Sequence, residues 1–373
     1  MKRTGSLLRW ENLLIMLVTL AVTAVLAEMA LRLTEYGEIA EPKMGYPQGY
    51  FSADPDLGVD HTANFAPQQF RFRGPGHEAF TNRFGCLDRA NEVEDDYILV
   101  VGDSSTWGYA ELESMWTSRL ERALGRQILK CGVSGTGPEY QLLKAKKVIA
   151  QVGIQPQMIL LLYNENDFAD DVVFPGYAIV DGHRINNLRS VDLRNGVIER
   201  YTQQELEDRY RQYKDQNRGL WARASQRSVV LGLGRAVWLR FTNADAIDPE
   251  TLGPKLTSRY AFSLFDVPEG EYPWLETAFE DHVANLLAFQ EMAEQHEFKF
   301  VLLVANLTDR GGLRGRLRSI LEQEIPCLYD VGEHVHESSQ GRKTRYRFDA
   351  HWNSLGNRLA QEGIYDYLDT KGL

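Results

Sequence analysis

Hydrophobic and polar positions follow three different rhythms along this chain. Near the start, an uncharged apolar run extends from Asn12 to Ala27, with Lys2, Arg3 and Arg9 before it. Glu28 interrupts it, Met29-Ala30-Leu31 resumes it, and Arg32 closes it. That pattern predicts a membrane-spanning helix within residues 1–33, its basic end in the cytoplasm by the positive-inside bias. Small residues at Val25-Leu26-Ala27 leave a cleaved signal peptide as the competing reading. Residues 34–96, rich in Gly, Pro and aromatics, show little sustained periodicity and read as a stalk and lead-in over 34–80, continuing irregularly up to the first strand.

From residue 97 the rhythm changes to short apolar runs alternating with helical periods. Tyr97–Val101, Ile128–Cys131, Met158–Tyr163, Phe298–Ala305 and Cys327–Asp330 read as buried strands. Between and after them, residues 114–125, a stretch with Leu142, Ala145, Ile149 and Val152 on one face, Leu275–Gln295, Leu313–Glu324 and Leu355–Leu368 carry helical spacing. Strands alternating with helices predict an α/β fold, a doubly wound, flavodoxin-like parallel sheet with helices on both faces. The domain is expected over 81–373, with a long insertion at about 170–273. That insertion opens as a hairpin over Tyr177–Glu199, with turns at Asp181-Gly182 and Asn195-Gly196, and continues as a charged helix near Gln203–Asp215. Its Leu220–Phe241 segment holds four arginines and no acid, which suits a cover over the active site or contact with a membrane surface, and equally a helical subdomain packed on the core.

Charge narrows the partners. The 373 residues carry 41 Lys+Arg against 52 Asp+Glu, a net charge of −11, which disfavours a broad nucleic-acid surface. Three cysteines exclude a disulfide framework, and none of them pair at zinc-ligand spacing. Cys86, Cys131 and Cys327 allow one disulfide at most. Because Cys131 and Cys327 fall in predicted strands, inert core thiols are expected.

In an open parallel sheet, ligands bind beyond the carboxyl ends of the strands. Those positions hold Gly102-Asp103-Ser104-Ser105-Thr106, Gly132-Val133-Ser134-Gly135-Thr136-Gly137 and Asn164-Glu165-Asn166-Asp167, while Asp349-Ala350-His351-Trp352-Asn353 precedes the last helix. Taken singly, these are an N-cap, a turn, another cap and a surface pair. Together they supply a hydroxyl, an imidazole with a carboxylate, flexible backbone N–H groups and an amide, the set acyl transfer requires.

With these blocks the sequence resembles the SGNH (GDSL-type) hydrolases over roughly residues 80–170 and 275–370. The resemblance implies Ser104 as nucleophile, His351 as base and Asp349 as its orienting carboxylate. It also implies an oxyanion hole from the Ser104 N–H, Gly135 and the Asn166 amide, with no cofactor and no metal. Thr81-Asn82-Arg83-Phe84-Gly85 resembles the segment before the nucleophile strand in membrane-anchored members. Lys130 stands where the family often has asparagine, Asn164 replaces the usual glycine, and Asp349 is two residues from His351 rather than three. The Asp-x-His-Trp form resembles that of alginate and other cell-envelope O-acetylation proteins.

The expectation is therefore a serine esterase acting on O-acylated carbohydrate or lipid esters, anchored in the inner membrane by a single span with its domain in the periplasm or outside the cell. An O-acetyltransferase modifying an exported polysaccharide, drawing acyl groups from a membrane partner, is the same-fold alternative. A non-catalytic envelope scaffold or glycan-binding protein is the alternative of another class, and a metal-dependent hydrolase built on Asp103, Asp167, Asp349 and His351 ranks last. Trp107, Trp352 and the insertion tyrosines are candidate sugar platforms.

Overall fold

Five short apolar runs form one parallel sheet: β1 (Ile98–Gly102), β2 (Ile128–Lys130), β3 (Met158–Tyr163), β4 (Lys299–Val304) and β5 (Leu328–Asp330). Their spatial order is β2-β1-β3-β4-β5, all neighbours parallel, with Ile98 opposite both Ile128 and Met158, and Lys299 also opposite Met158. This is the doubly wound, flavodoxin-like order, and its switch point lies between β1 and β3. The computed structural model describes residues 10–34, 45–71, 76–192, 195–217, 220–225, 227–241, 264–307, 311–346 and 350–373. Among the described residues the longer helices are α1 (Trp10–Arg32), α2 (Trp116–Leu124), α3 (Pro138–Val152), α4 (Gln203–Asn217), α5 (Val229–Phe241), α6 (Pro273–His296), α7 (Gly312–Glu324), α8 (Val331–Ser338) and α9 (Ser354–Lys371).

Successive strand residues point to opposite faces, so each strand feeds two cores. Leu99, Val101, Ile159, Leu161, Leu302 and Val304 pack with α3, α6 and α7 through Leu142, Phe279, Leu286 and Leu317. Ile98, Val100, Leu160, Leu162, Val301 and Leu303 pack with α2, α8 and α9 through Trp116, Leu120, Val335 and Ile364. Every residue of β1, β2 and β3 is buried, which is why their sequences lack alternation.

The lead-in is more ordered than its sequence suggests. It contains two antiparallel hairpins, Phe51–Asp54 with Gly58–His61 and Gln68–Phe70 with His77–Ala79. Strands of three or four residues are too short to show a period. Tyr50, Phe51, Leu57, Val59 and Phe70 join Trp107, Tyr109, Met115, Val133 and Tyr140 in a third core, so the lead-in packs on the loops that follow β1 and β2. A buried ion pair holds the same contact: Lys144 Nζ on α3 donates to both oxygens of Asp60 at 2.8 Å. Burial raises the Asp60 carboxyl, but Lys144, His61 and Lys147 together outweigh it and bring it down to about 2.

Two cysteines correct the expectation of inert thiols. Cys86 of the lead-in and Cys131 at the end of β2 form a disulfide; Cys327 alone is a free thiol, half-buried. The departure at Lys130 is a brace: its buried Nζ donates to Asp88 Oδ2 at 3.1 Å and to Glu121 Oε2 at 2.8 Å, tying β2 to the lead-in and to α2. The insertion begins as two hairpins, Tyr177–Val180 with His183–Asn186 and Leu188–Asp192 with Val197–Arg200, the first turning at Asp181-Gly182 as expected.

Residues 1–43 and 214–246 make up a compact unit separate from residues 44–213 and 247–373. Its spanning candidate, α1, is 23 residues long with a mean hydropathy of 2.3 over its most apolar window and no buried residue.

Candidate active site

Ser104 begins a one-turn helix, Ser104–Trp107, directly after β1. Asp103 caps that turn, its Oδ1 accepting from Ser105 N at 2.9 Å. Three further donors converge on the same carboxylate. Ser104 Oγ donates to Oδ2 at 3.1 Å, Asn166 Nδ2 to Oδ2 at 3.2 Å, and Asn164 Nδ2 to Oδ1 at 2.8 Å. A buried carboxylate is tolerated only when hydrogen-bonded in this way, and Asp103 is 1 % exposed. The loops after β1 and β3, on either side of the switch point, are thus fastened through one side chain.

The glycine-rich loop after β2 enters from the other side. Val133 N donates to Gly102 O at 3.0 Å, and a Cβ at Gly132 would stand 2.5 Å from Trp107 N. Only glycine permits that approach of the two backbones. Gly135 adopts φ +71°, and a Cβ there would meet the Tyr177 hydroxyl at 2.5 Å. The insertion hairpin therefore rests on the loop that carries the expected oxyanion donor, and Arg184 Nη1 also donates to Ser134 O. Beside Gly135 is a cavity of about 20 Å³ lined by Thr136, Asp170, Phe174, Tyr177 and Arg184 among others, room for one water-sized group.

His351 reaches this edge from the segment before α9. Asn353 caps α9, accepting from Leu355 N and Gly356 N, and Tyr346 N donates to His351 O at 3.1 Å. The imidazole lies over the Tyr109 ring with centroids 4.1 Å apart. Tyr109 in turn pairs its hydroxyl with Ser134 Oγ at 3.0 Å. Ser104, Asn166, the Gly135 loop and His351 are all held by groups from the C-terminal edge of the sheet. Asp349 lies outside the described residues.

Carboxylates crowd behind Asn166. Its Nδ2 also donates to Asp170 Oδ2 at 3.0 Å. Burial, with Asp103 nearby, pushes Asp170 up to about 7 and raises Asp167 well above the carboxylate range. Asp167 Oδ1 is buried with no hydrogen-bond partner, consistent with a carboxyl that keeps its proton. Asp171 is bound at 2.6 Å by His282 Nδ1, whose Nε2 meets the Tyr163 hydroxyl at 3.1 Å.

Sequence reasoning singled out Ser104, Asn166 and His351 as candidates from their places at element ends. It missed Asp170, Tyr109, Tyr177 and Arg184, whose roles depend on partners distant in the chain. Asn164 stood out only as a departure from a pattern. Trp107 and Trp352 are buried, which removes them as sugar platforms; Trp107 Nε1 donates to Tyr50 OH at 2.9 Å and Trp352 belongs to the α9 core.

No family model and no curated protein matches the chain. Among solved structures it is similar to a putative lipolytic protein of the G-D-S-L family from Desulfitobacterium hafniense, at 12% identity and TM-score 0.37, covering 73% of this chain and 99% of that one. The psychrotrophic esterase EstA from Pseudoalteromonas sp. is similar at 12% identity and TM-score 0.36, with 74% and 98% covered. An acetyl xylan esterase, AlAXEase, is similar at 10% identity and TM-score 0.34, with 72% and 98% covered. At such identities and scores, the chemistry of this chain has to come from its own residues.

Proposed function

We propose that this chain is a serine-dependent ester hydrolase held at a membrane by α1. The observation that supports it most is the shared carboxylate oxygen: Ser104 Oγ and Asn166 Nδ2 both donate to Asp103 Oδ2, so a hydroxyl and an amide donor stand within two hydrogen-bond lengths. In the reaction, the Ser104 hydroxyl turns from Asp103 toward His351, which takes its proton as Oγ bonds to the ester carbonyl carbon. The carbonyl oxygen becomes an oxyanion, met by the N–H groups of Ser104 and Gly135 and by the Asn166 amide. Collapse expels the alcohol, which receives the proton from His351. Water, deprotonated by the same imidazole, then releases the acid and restores Ser104. Asp349 is assigned the orientation of His351.

An extracytoplasmic substrate, an O-acylated carbohydrate or lipid ester, fits two features. A disulfide between Cys86 and Cys131 persists in oxidising compartments. Helix α1, at 23 residues, exceeds a signal-peptide core of about 7–15 and is about 35 Å long, enough for a hydrocarbon layer of about 30 Å. The full chain in lipid nanodiscs, treated with a fluorophosphonate probe beside Ser104→Ala, tests the nucleophile. Labelling confined to the parent is expected; equal labelling, or none in a folded parent, removes the assignment. Products from an acetylated polysaccharide then separate acetate released to water from acetyl transferred to an added glycan.

A further inference from the structure

We propose that α5, the apolar helix late in the insertion, lies in the outer interface of the bilayer that α1 spans and contacts its phospholipid headgroups. The inference rests on α1 spanning the membrane, as argued above, and is independent of the ester chemistry. Both helices belong to the same compact unit.

The link between them is Glu28. Its carboxylate accepts from Ser228 Oγ at 2.8 Å, Val229 N at 3.1 Å and Val230 N at 3.0 Å, capping the N-terminus of α5. Arg32 pairs with Glu28 at 2.8 Å and donates to Arg227 O at 2.7 Å. The acid that breaks the apolar run of α1 is thus satisfied by orphan N–H groups at the start of a second helix.

Glu28 also fixes depth. Eighteen residues of helix separate it from Trp10, about 27 Å at 1.5 Å per residue. With Trp10 in one interfacial belt, Glu28 reaches the opposite one, across about 30 Å of hydrocarbon. The start of α5 is held at that level.

From there α5 has few options. Its 13 residues reach about 20 Å, too short to cross. Nine of them are apolar, and Leu233 and Trp238 are 38 % and 63 % exposed. Exposed leucine and tryptophan side chains on a short helix seated at the interface suit contact with the headgroup–acyl boundary. Charge agrees: Leu220–Phe241 contains Arg223, Arg227, Arg235 and Arg240 with no acid, in a chain of net charge −11. Such a local excess of arginine is complementary to anionic headgroups.

The test uses the full chain carrying Cys327→Ser, with either Leu233→Cys or Leu20→Cys labelled by an environment-sensitive fluorophore. The protein is placed in phosphatidylcholine–phosphatidylglycerol nanodiscs containing lipids spin-labelled near the headgroup or deep in the chain. The label at 20 should be quenched by the deep spin label, and the label at 233 mainly by the shallow one. Glu28→Leu should lower quenching at 233 without changing it at 20. Quenching at 20 with none at 233 overturns the proposal, whether the emission at 233 resembles water or a protein interface. No quenching at 20 overturns the spanning reading first, and the place of α5 with it.

Discussion

Asn164 Nδ2 reaches across 61 residues of chain to Asp103 Oδ1 at 2.8 Å. A residue that looked like an intrusion in its motif is therefore a brace, holding the carboxylate that also receives the Ser104 hydroxyl. Removing it as Asn164→Ala leaves a buried carboxylate short of one donor. A loss of about 1–3 kcal/mol of stability is expected, with slower turnover as Asp103 shifts. Thermal unfolding and p-nitrophenyl acetate hydrolysis of the same preparation check both effects, and unchanged values for both would contradict this role.

Asn166 has a different expected signature. Its amide is assigned to the developing oxyanion, so Asn166→Ala should lower kcat by about 10²–10³ while leaving KM within a few-fold. A change confined to KM would make Asn166 a binding group instead.

Asp170 gives a pH prediction. Its folded-state value, about 7, lies above the ordinary 3.8. Between those values the folded chain holds a proton that the unfolded chain has released, so this group's contribution to stability falls as pH rises from about 4 to about 7 and is flat above. Asp170→Asn keeps an oxygen for Asn166 Nδ2 and abolishes the titration. Its Tm relative to the parent should rise between pH 5 and pH 8, and parallel Tm profiles would refute the assignment.

The Cys86–Cys131 bridge closes a segment with a sequence separation of 45. Chain-entropy reasoning assigns it about 4 kcal/mol. Cys86→Ser with Cys131→Ser, or reduction of the parent, should lower the denaturant midpoint accordingly. Because Cys131 precedes the Gly132–Gly137 loop, ester turnover should fall with it. An unmoved midpoint on reduction would show that the bond adds nothing.

The sheet was legible in the sequence because strands buried on both faces leave continuous apolar runs, and Met158–Tyr163 is such a run to the residue. The 51–61 and 68–79 hairpins were not, since their strands are three or four residues long and their apolar side chains serve a core shared with Trp107 and Tyr140. Ser104 and Asn166 stood out as candidates because strand ends in a doubly wound sheet are where ligands bind, and the structure brings both onto Asp103. Asp170 and Tyr109 were not, because an ordinary helical aspartate and an ordinary loop tyrosine acquire roles only once Asn166 and His351 arrive beside them. The pairing of Cys86 with Cys131 was hidden for the same reason: one partner sits in an irregular stretch.

The carboxylate shared by Ser104, Asn164 and Asn166 also times the appearance of reactivity. Its donors come from the ends of β1 and β3, which become neighbours only when those strands pair. Before pairing, Ser104 is an ordinary alcohol with nothing to orient it. A chain delivered unfolded across a membrane would carry a silent serine through the passage, and the proposed hydrolase would switch on only where it folds.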